Sequence, residues 1–476
     1  MLVELERILG LAQKLGAEYA DVRYVSLTQE PVSLTSDGAA QTSISKSAGL
    51  GLRVLVDGAW GFCATPYLDP RSLEKTADEA VKIASASALY KIGDGVSLSP
   101  LEPRKARWQT PHRIDPLTVK VEDKVALLSG VISAAKKVPG VTRANASIMS
   151  YREDKEFMST DGRQIEQTSI HSGASLTVTA RGEGDLQSRS FSDYVDGGYE
   201  FIEGLDLETK AEILGKEAVQ LLKAPQCPAT VTDLVMGGSM VALQIHESCG
   251  HPVELDRVMG QEATFAGTSF LTPDKKGTFR YGSPQVHIVA DATARGGLGS
   301  FGFDDEGVEA QRTDLIVDGI FKDYLTSREL APMFDQESNG TMRAVGWQNI
   351  PLVRMTNINL EPGDWTLDEI IKDTKEGIFV DEPKSWSLDD KRLNFHFGQE
   401  MAYEIKDGSL GRMLKNSAHT GITPEFWNSC DAVARRDQWH IWGTPGCAKG
   451  EPVQVIHVGH GAAPARFRKV KVGVGH

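Results

Sequence analysis

At 476 residues the chain is too long for one ordinary domain and too short for more than about three. Hydrophobic residues at 40% and charged residues at 24% make a globular composition, outside the disordered regime. The 51 basic and 65 acidic residues leave a net charge of −14, which opposes non-specific attraction to a polyanion and sets direct nucleic-acid binding aside.

No uninterrupted apolar run reaches the roughly 18 residues that crossing a bilayer needs, so no membrane span is expected. The first residues place Glu4, Glu6 and Arg7 among leucines, the pattern of an amphipathic helix rather than a secretory leader. Residues 20–38, ADVRYVSLTQEPVSLTSDG, align with residues 144–162, ANASIMSYREDKEFMSTDG. Just beyond, Gln41-Thr42-Ser43-Ile44 reappears as Gln167-Thr168-Ser169-Ile170. Leu50, Leu52 and Val54 then fall opposite Leu176, Val178 and Ala180 with the alternation of a strand. Each copy closes a hairpin at an Asp-Gly turn, where glycine accepts positive φ. Helical patterns precede the copies around 2–16 and 121–137 and follow them around 70–90 and 206–223. In the helix after the first copy, Asp69 is placed to cap, Pro70 suits the opening turn, and Leu73, Ala77, Ala80 and Ala84 line one face.

Residues 1–223 are therefore expected to form an N-terminal α/β domain from a duplicated helix–strands–helix unit sharing one antiparallel sheet, with helices on one face. Ala224-Pro225-Gln226-Cys227-Pro228 is a natural boundary. Residues 229–476 change texture to short alternating stretches punctuated by Asp318-Gly319, Asp407-Gly408 and scattered glycines, and are expected to form a C-terminal β-rich domain. A short helix near 366–376 is expected to end at Gly377. The fold class is thus α+β in two domains. Cys63, Cys227, Cys249, Cys430 and Cys447 are scattered and odd in number, which argues against a disulfide framework and for a reducing cytoplasm.

The chemistry concentrates in His246-Glu247-Ser248-Cys249-Gly250-His251. Histidines five apart stand about 140° apart on an unbroken α-helix, too far to share an ion. Gly250 weakens the helix and Pro252 disfavours the α region for His251, so an extended His251 could turn back toward His246. A π-bulge would serve equally well. Two imidazoles suit zinc, which in catalytic sites keeps a position for water and lowers that water's pKa to about 7. Glu247, beside the first histidine, is placed to accept the water's proton and deliver it to a leaving amine. A third ligand is needed. The candidates are Cys447, His457, His460, His287, His396, His419, His440, Glu254, Glu262 and Cys249. Cys447 is favoured weakly, for its thiolate chemistry and the irregular loop that Gly446 permits.

The string IHESCGHPVELD resembles the metal motif of the TldD/PmbA metallopeptidases, specifically their TldD-type active subunit. Similar stretches run along nearly the whole chain: ADVRYV at 20–25, GLGLRVLV at 49–56, SFGFDDEG at 300–307, YLTSRELA at 324–331, VRMTNINLEPGD at 353–364 and the Gly-Cys-Ala-Lys stretch at 446–449. The resemblance implies a zinc peptidase in which His246, His251 and Cys447 hold the metal and Glu247 is the catalytic base. It also implies flexible or unfolded peptides as substrates, and a dimer, of identical or sister subunits, enclosing the site. Cys249 departs from the motif by placing a second thiol beside the metal. Two other functions suit parts of the pattern: a catalytically silent peptide-binding partner subunit, which would not need Glu247, and a non-proteolytic zinc amidohydrolase. Asp304-Asp305-Glu306 could bind a second cation or a peptide amine, but is read rather as a solvated turn. Arg354 could meet a substrate carboxylate, but is read rather as packed along its stem. Arg466, Arg468, Lys469 and Lys471 read as one exposed strand face.

Overall fold

A computed structural model describes residues 2–91 and 93–474, an α+β protein. The first repeat unit runs α1 (Leu2–Lys14), β1 (Tyr19–Gln29), β2 (Val32–Thr35), β3 (Ala40–Thr42), β4 (Ser45–Val56), β5 (Ala59–Thr65) and α2 (Pro70–Ala88). After β6 (Arg104–Gln109), the second runs α3 (Val121–Lys136), β7 (Val141–Ser159), β8 (Arg163–Arg181), β9 (Leu186–Asp196), a short α4 (Glu200–Glu203) and α5 (Leu207–Lys223). The duplication is present: β1 with β2 answers to β7, and β3 with β4 to β8. Local chemistry sets the helix starts. At α2 the Asp69 side chain accepts the Arg71 and Ser72 N–H groups at 3.1 Å each, Pro70 occupies the first turn, and Leu73, Ala77, Ala80 and Ala84 are buried.

All the strands of both units, with β6, share one nine-stranded sheet, and its centre shows how the copies meet. β1 pairs antiparallel with β7 from Asp21↔Ser159 to Gln29↔Tyr151, and β2 resumes the same register at Val32↔Ile148. Thr28 pairs with Arg152, its own counterpart in the repeat alignment, so a pseudo-twofold axis passes through this point. The pleat then sorts the side chains. Ala20, Val22, Val32 and Leu34 point to the helices of the two units, while Asp21 and Arg23 point to the opposite face, against the second domain.

The second domain begins with β10 (Thr230–Met236) and α6 (Gly238–Ile245), followed after a π turn by α7 (Leu255–Val258). Then come β11 (Ile288–Asp291), β12 (Arg312–Val317), β13 (Ile320–Phe321), β14 (Met342–Arg343), β15 (Leu352–Val353), β16 (Ile358–Leu360) and α8 (Leu367–Asp373). The chain ends through β17 (Glu376–Leu388), β18 (Asn394–Lys406), β19 (Ser409–Leu414), β20 (Ser417–Ile422), α9 (Thr423–Asn428), β21 (Cys430–Val433), β22 (His440–Lys449), β23 (Gln454–Ala462) and β24 (Ala465–Val474). Because β10 pairs with both β17 and β24, the order β10-β17-β18-β20-β24 closes on itself. Phe395, Phe397, Phe426, Trp427 and Phe467 belong to the core that packs on α6. β22 and β23 form a separate two-stranded ribbon.

Three local expectations are corrected. The helix near 366 opens on a capping box, Thr366 with Glu369, but ends at Asp373, and Gly377 lies in β17. There a Cβ would stand 2.7 Å from the Asp233 carbonyl oxygen of the neighbouring parallel strand, so the glycine serves close approach rather than helix termination. Arg466 is buried, not on an exposed face. It pairs with Asp431 at 2.9 Å, and a left-handed Lys469 breaks the alternation of β24.

Asp304, Asp305 and Glu306 are buried rather than solvated. Asp304 accepts the N–H groups of Glu306 and Val308 at 2.9 Å and of Met342 at 3.0 Å. Asp305 meets Lys155 at 2.7 Å, and Glu306 meets Arg53 at 3.1 Å, while Arg53 also holds Asp21 at 2.7 Å. Asp305 and Glu306 clamp the second domain onto the charged face of the first sheet, while Asp304 orders their loop from within. Removing one partner would strand an uncompensated charge, which costs far more than the intact pair contributes.

Candidate metal centre and cleft

α6 is buried along its length, and the chain after it does not leave helical geometry. His246–Gly250 form a π turn, and His251 stays helical at φ −65° and ψ −41°. His251 is therefore not extended. Pro252 instead enters a 3-10 turn spanning His251–Val253, which needs no Pro252 N–H. An i→i+5 turn puts residues five apart on one face. The His246 and His251 rings accordingly stand 4.9 Å apart, centroid to centroid. The turn is held from behind: Trp427 Nε1 donates to Ser248 Oγ and the Tyr281 hydroxyl to the Ser248 carbonyl oxygen, both at 2.8 Å.

From the ribbon, Cys447 reaches the same point, its Sγ 3.9 Å from His251 Nε2. A bulge between Thr444 and Cys447 turns the thiol inward. One ligand atom from each of His246, His251 and Cys447 lies within 4.8 Å of the others, the one such group of donors among the described residues. The donor set fits zinc: two imidazoles and a thiolate, with a position left for water.

The surroundings set the donors' chemical states. His251 Nδ1 lies 2.9 Å from Glu254 Oε2, a carboxylate that can only accept, so its Nδ1 is protonated and Nε2 is left as a lone pair. His460 Nδ1 lies 3.3 Å from the Ile358 carbonyl oxygen, and its Nε2 is 2.7 Å from His246 Nδ1. The carbonyl can only accept, so His460 donates through Nδ1, accepts through Nε2, and leaves His246 Nε2 free. Burial alone would push the Cys447 thiol up, but positive charge on the His246 and His251 rings outweighs it and holds the thiol well below its usual value whenever those rings carry a proton. Burial holds His251 well below the usual imidazole range. Lys449 bonds Asp256 at 2.7 Å and stands 3.5 Å from Glu254, while Arg354 Nη2 donates to the Cys447 carbonyl oxygen at 2.5 Å. The strand bearing the thiol is thus tied to the groups behind the histidines.

The other candidate ligands lie elsewhere. Cys249 is buried on the π turn outside the donor group, and burial pushes its thiol far up. His419 bonds Gln244 and Gln399, His440 bonds Asp193, His457 bonds His171, and His287 meets Asp314. His396 lies on β18, and Glu262 meets Arg257 at 2.8 Å. Glu254 and His460 stand one bond behind the histidines as orienting groups. Glu254 three residues after His251 was the one sequence signal for that role. His460 carried none.

Glu247 shares the π turn with His246 and lines a cleft of about 500 Å³ with His246, His251 and Cys447. Its walls include Leu243, Pro383, Trp386 and Trp442, and Ser192 of the first domain reaches its edge. Trp386 is 54% exposed, an apolar surface at the mouth. Arg392 donates through Nη1 to Glu247 Oε2.

The chain is similar to known proteins along nearly its whole length. A sequence model described as the PmbA/TldA metallopeptidase C-terminal domain matches residues 229–474, that of domain 1 matches residues 20–84, and that of the central domain matches residues 114–224. A metalloprotease of Methanocaldococcus jannaschii is 30% identical over 91% of this chain and 93% of its own length. A zinc metalloprotease TldD homolog of Saccharolobus solfataricus is 27% identical over 97% of this chain and 98% of its own. Among solved structures, TldE from Thermococcus kodakarensis superposes with a TM-score of 0.77 at 17% identity, covering 99% of this chain and 100% of that one.

Proposed function

The chain belongs to the PmbA/TldA metallopeptidase family, and we propose that it is a zinc-dependent peptidase of unfolded or flexible peptides. The observation that supports this most is the meeting of His246, His251 and Cys447 beside the Glu247 carboxylate in one cleft. Zinc held by those three residues would supply a Lewis acid that makes water nucleophilic at neutral pH. Glu247 takes the proton of the attacking water and later gives it to the departing amine. Glu254 and His460 hold the two imidazoles in the tautomers that leave Nε2 as a lone pair. An intact Glu247 favours an active subunit over a silent one, and a homodimer or a pair with a sister subunit are the assemblies proposed. No helix among the described residues is long and apolar enough to cross a membrane.

An extended chain suits a cleft at the junction of two domains, where it can add backbone hydrogen bonds to a strand. Unstructured peptides should therefore be cut, and the same sequence held inside a stable fold should not. Mass spectrometry of both digests measures this, and comparable rates on the two forms would contradict the substrate class. The orienting role of His460 has its own test. His460→Leu removes the acceptor for His246 Nδ1–H, and zinc affinity should fall about 10–100-fold in a competition titration with a chromophoric chelator. His460→Gln retains an acceptor and should lose less.

A further inference from the structure

We propose that Arg392 is a second catalytic residue, the donor that holds the oxygen of the scissile carbonyl as negative charge develops on it. The inference rests on the peptidase reading above. Among the described residues lining the cleft, Arg392 is the only lysine or arginine, and Glu247 is its side chain's only hydrogen-bond or ion-pair partner. Guanidinium carries five N–H donors in a fixed fork, so one contact with Glu247 leaves donors for a substrate oxygen.

The backbone of Arg392 points the same way. It sits at the tip of the hairpin joining β17 to β18 with φ +61°, a conformation that glycine or asparagine adopts at lower cost. That conformation is held from several sides. The Arg392 N–H donates to the Asp389 carbonyl oxygen at 2.9 Å, and the Arg392 carbonyl oxygen accepts from Thr423 Oγ1 at 2.9 Å. Thr268 and Phe270, from a separate segment, donate their N–H groups to the Asp390 and Lys391 carbonyl oxygens at 2.9 and 3.0 Å. The Asp389 carboxylate accepts from the Leu393 N–H at 2.8 Å. A left-handed arginine maintained by three parts of the fold, and aimed at the catalytic base, is strain kept in place at a site of chemistry.

The charge balance of the reaction gives the guanidinium a use in both states. Before reaction it neutralises the Glu247 carboxylate. As the water oxygen bonds to the carbonyl carbon, the π electron pair moves to the carbonyl oxygen and the water's proton moves to Glu247. The carboxylate loses its charge in the step in which the oxyanion gains one. Arg392 therefore exchanges one anion for another without an intervening unpaired charge. On collapse the carbon–nitrogen bond breaks, the carbonyl re-forms, and the Glu247 proton leaves on the amine. A preorganised donor of this kind acts on the transition state more than on the bound substrate.

The test uses Arg392→Gly, because glycine accepts φ +61° and removes the guanidinium without new strain. The zinc-loaded parent chain is assayed first on an unstructured peptide. If it fails to cut, the peptidase reading falls, whatever the variant does. With an active parent, Arg392→Gly should keep its zinc and its KM while kcat falls about 10²–10³-fold. Its affinity for a phosphinic peptide, which presents a tetrahedral anion, should fall by a similar factor. Guanidinium ion at non-denaturing concentration should restore part of the activity, which a merely structural role would not allow. Unchanged kcat, a loss confined to KM, a loss of zinc, or failure of guanidinium to raise the rate would each overturn the assignment. Arg392→Lys, which keeps the charge but not the fork, should fall between parent and glycine variant.

Discussion

Glu247→Ala should retain one zinc per chain and lose peptide hydrolysis by about 10²–10⁴-fold, the usual contribution of a positioned general base. The expectation follows from placement. Glu247 is not among the converging donors, and its carboxylate is engaged by Arg392 beside them. Alanine leaves Arg392 without its partner, so Glu247→Gln is the companion variant: it keeps an oxygen for Arg392 but cannot take a proton. Both should be inactive and both loaded. Loss of metal from either would make Glu247 a ligand. Full activity in either would remove the base from the mechanism.

Cys447→Ala should lose most of the bound zinc and lower the thermal stability of the loaded protein, while Cys249→Ala keeps both metal and peptidase activity. The two thiols differ in placement and, with it, in protonation: burial pushes the Cys249 thiol up, whereas the histidines beside Cys447 pull its thiol down. Cys249 lies between the histidines on the same turn but outside the converging donor group, whereas Cys447 comes from a ribbon nearly at the other end of the domain. A metal held by Cys447 together with His246 and His251 would pin β22 to the turn after α6, so ligand loss and destabilisation should appear together. The buried Cys249 is a packing residue, and its truncation should cost on the order of 1 kcal/mol. Zinc content and melting temperature of the two purified variants decide between them. A metal-free Cys249→Ala beside a loaded Cys447→Ala would reverse the assignment.

What the sequence disclosed, and what it hid, follows from the range of the interactions. The duplication was legible because each copy repeats a local signal, a strand run closed by Asp-Gly, and such signals depend on neighbours a few residues away. The pairing of Thr28 with Arg152 about a pseudo-twofold was not, since nothing local says which edges of the two copies meet. His246, Glu247 and His251 stood out in one hexapeptide, but their spacing allowed two backbones, and the π turn prevailed over an extended His251. Cys447 could barely be separated from nine other donors, because its approach depends on a bulge in β22 and on Arg354 gripping its carbonyl oxygen. Asp304-Asp305-Glu306 looked like a solvated turn because Arg23, Arg53 and Lys155 lie in the other domain. Arg392 was hidden for a related reason. In Asp389-Asp390-Lys391-Arg392 four charges in a row resemble an exposed loop, and no glycine marks the left-handed residue.

The most direct test of a zinc peptidase acting on flexible chains is hydrolysis of one unstructured peptide through a cycle of metal removal and return. The loaded protein should contain one zinc per chain and cut the peptide, the chelated protein should not, and stoichiometric zinc should restore the rate. Cleavage that persists at the same rate in the metal-free protein, or a fully loaded protein that leaves the peptide intact, would contradict it.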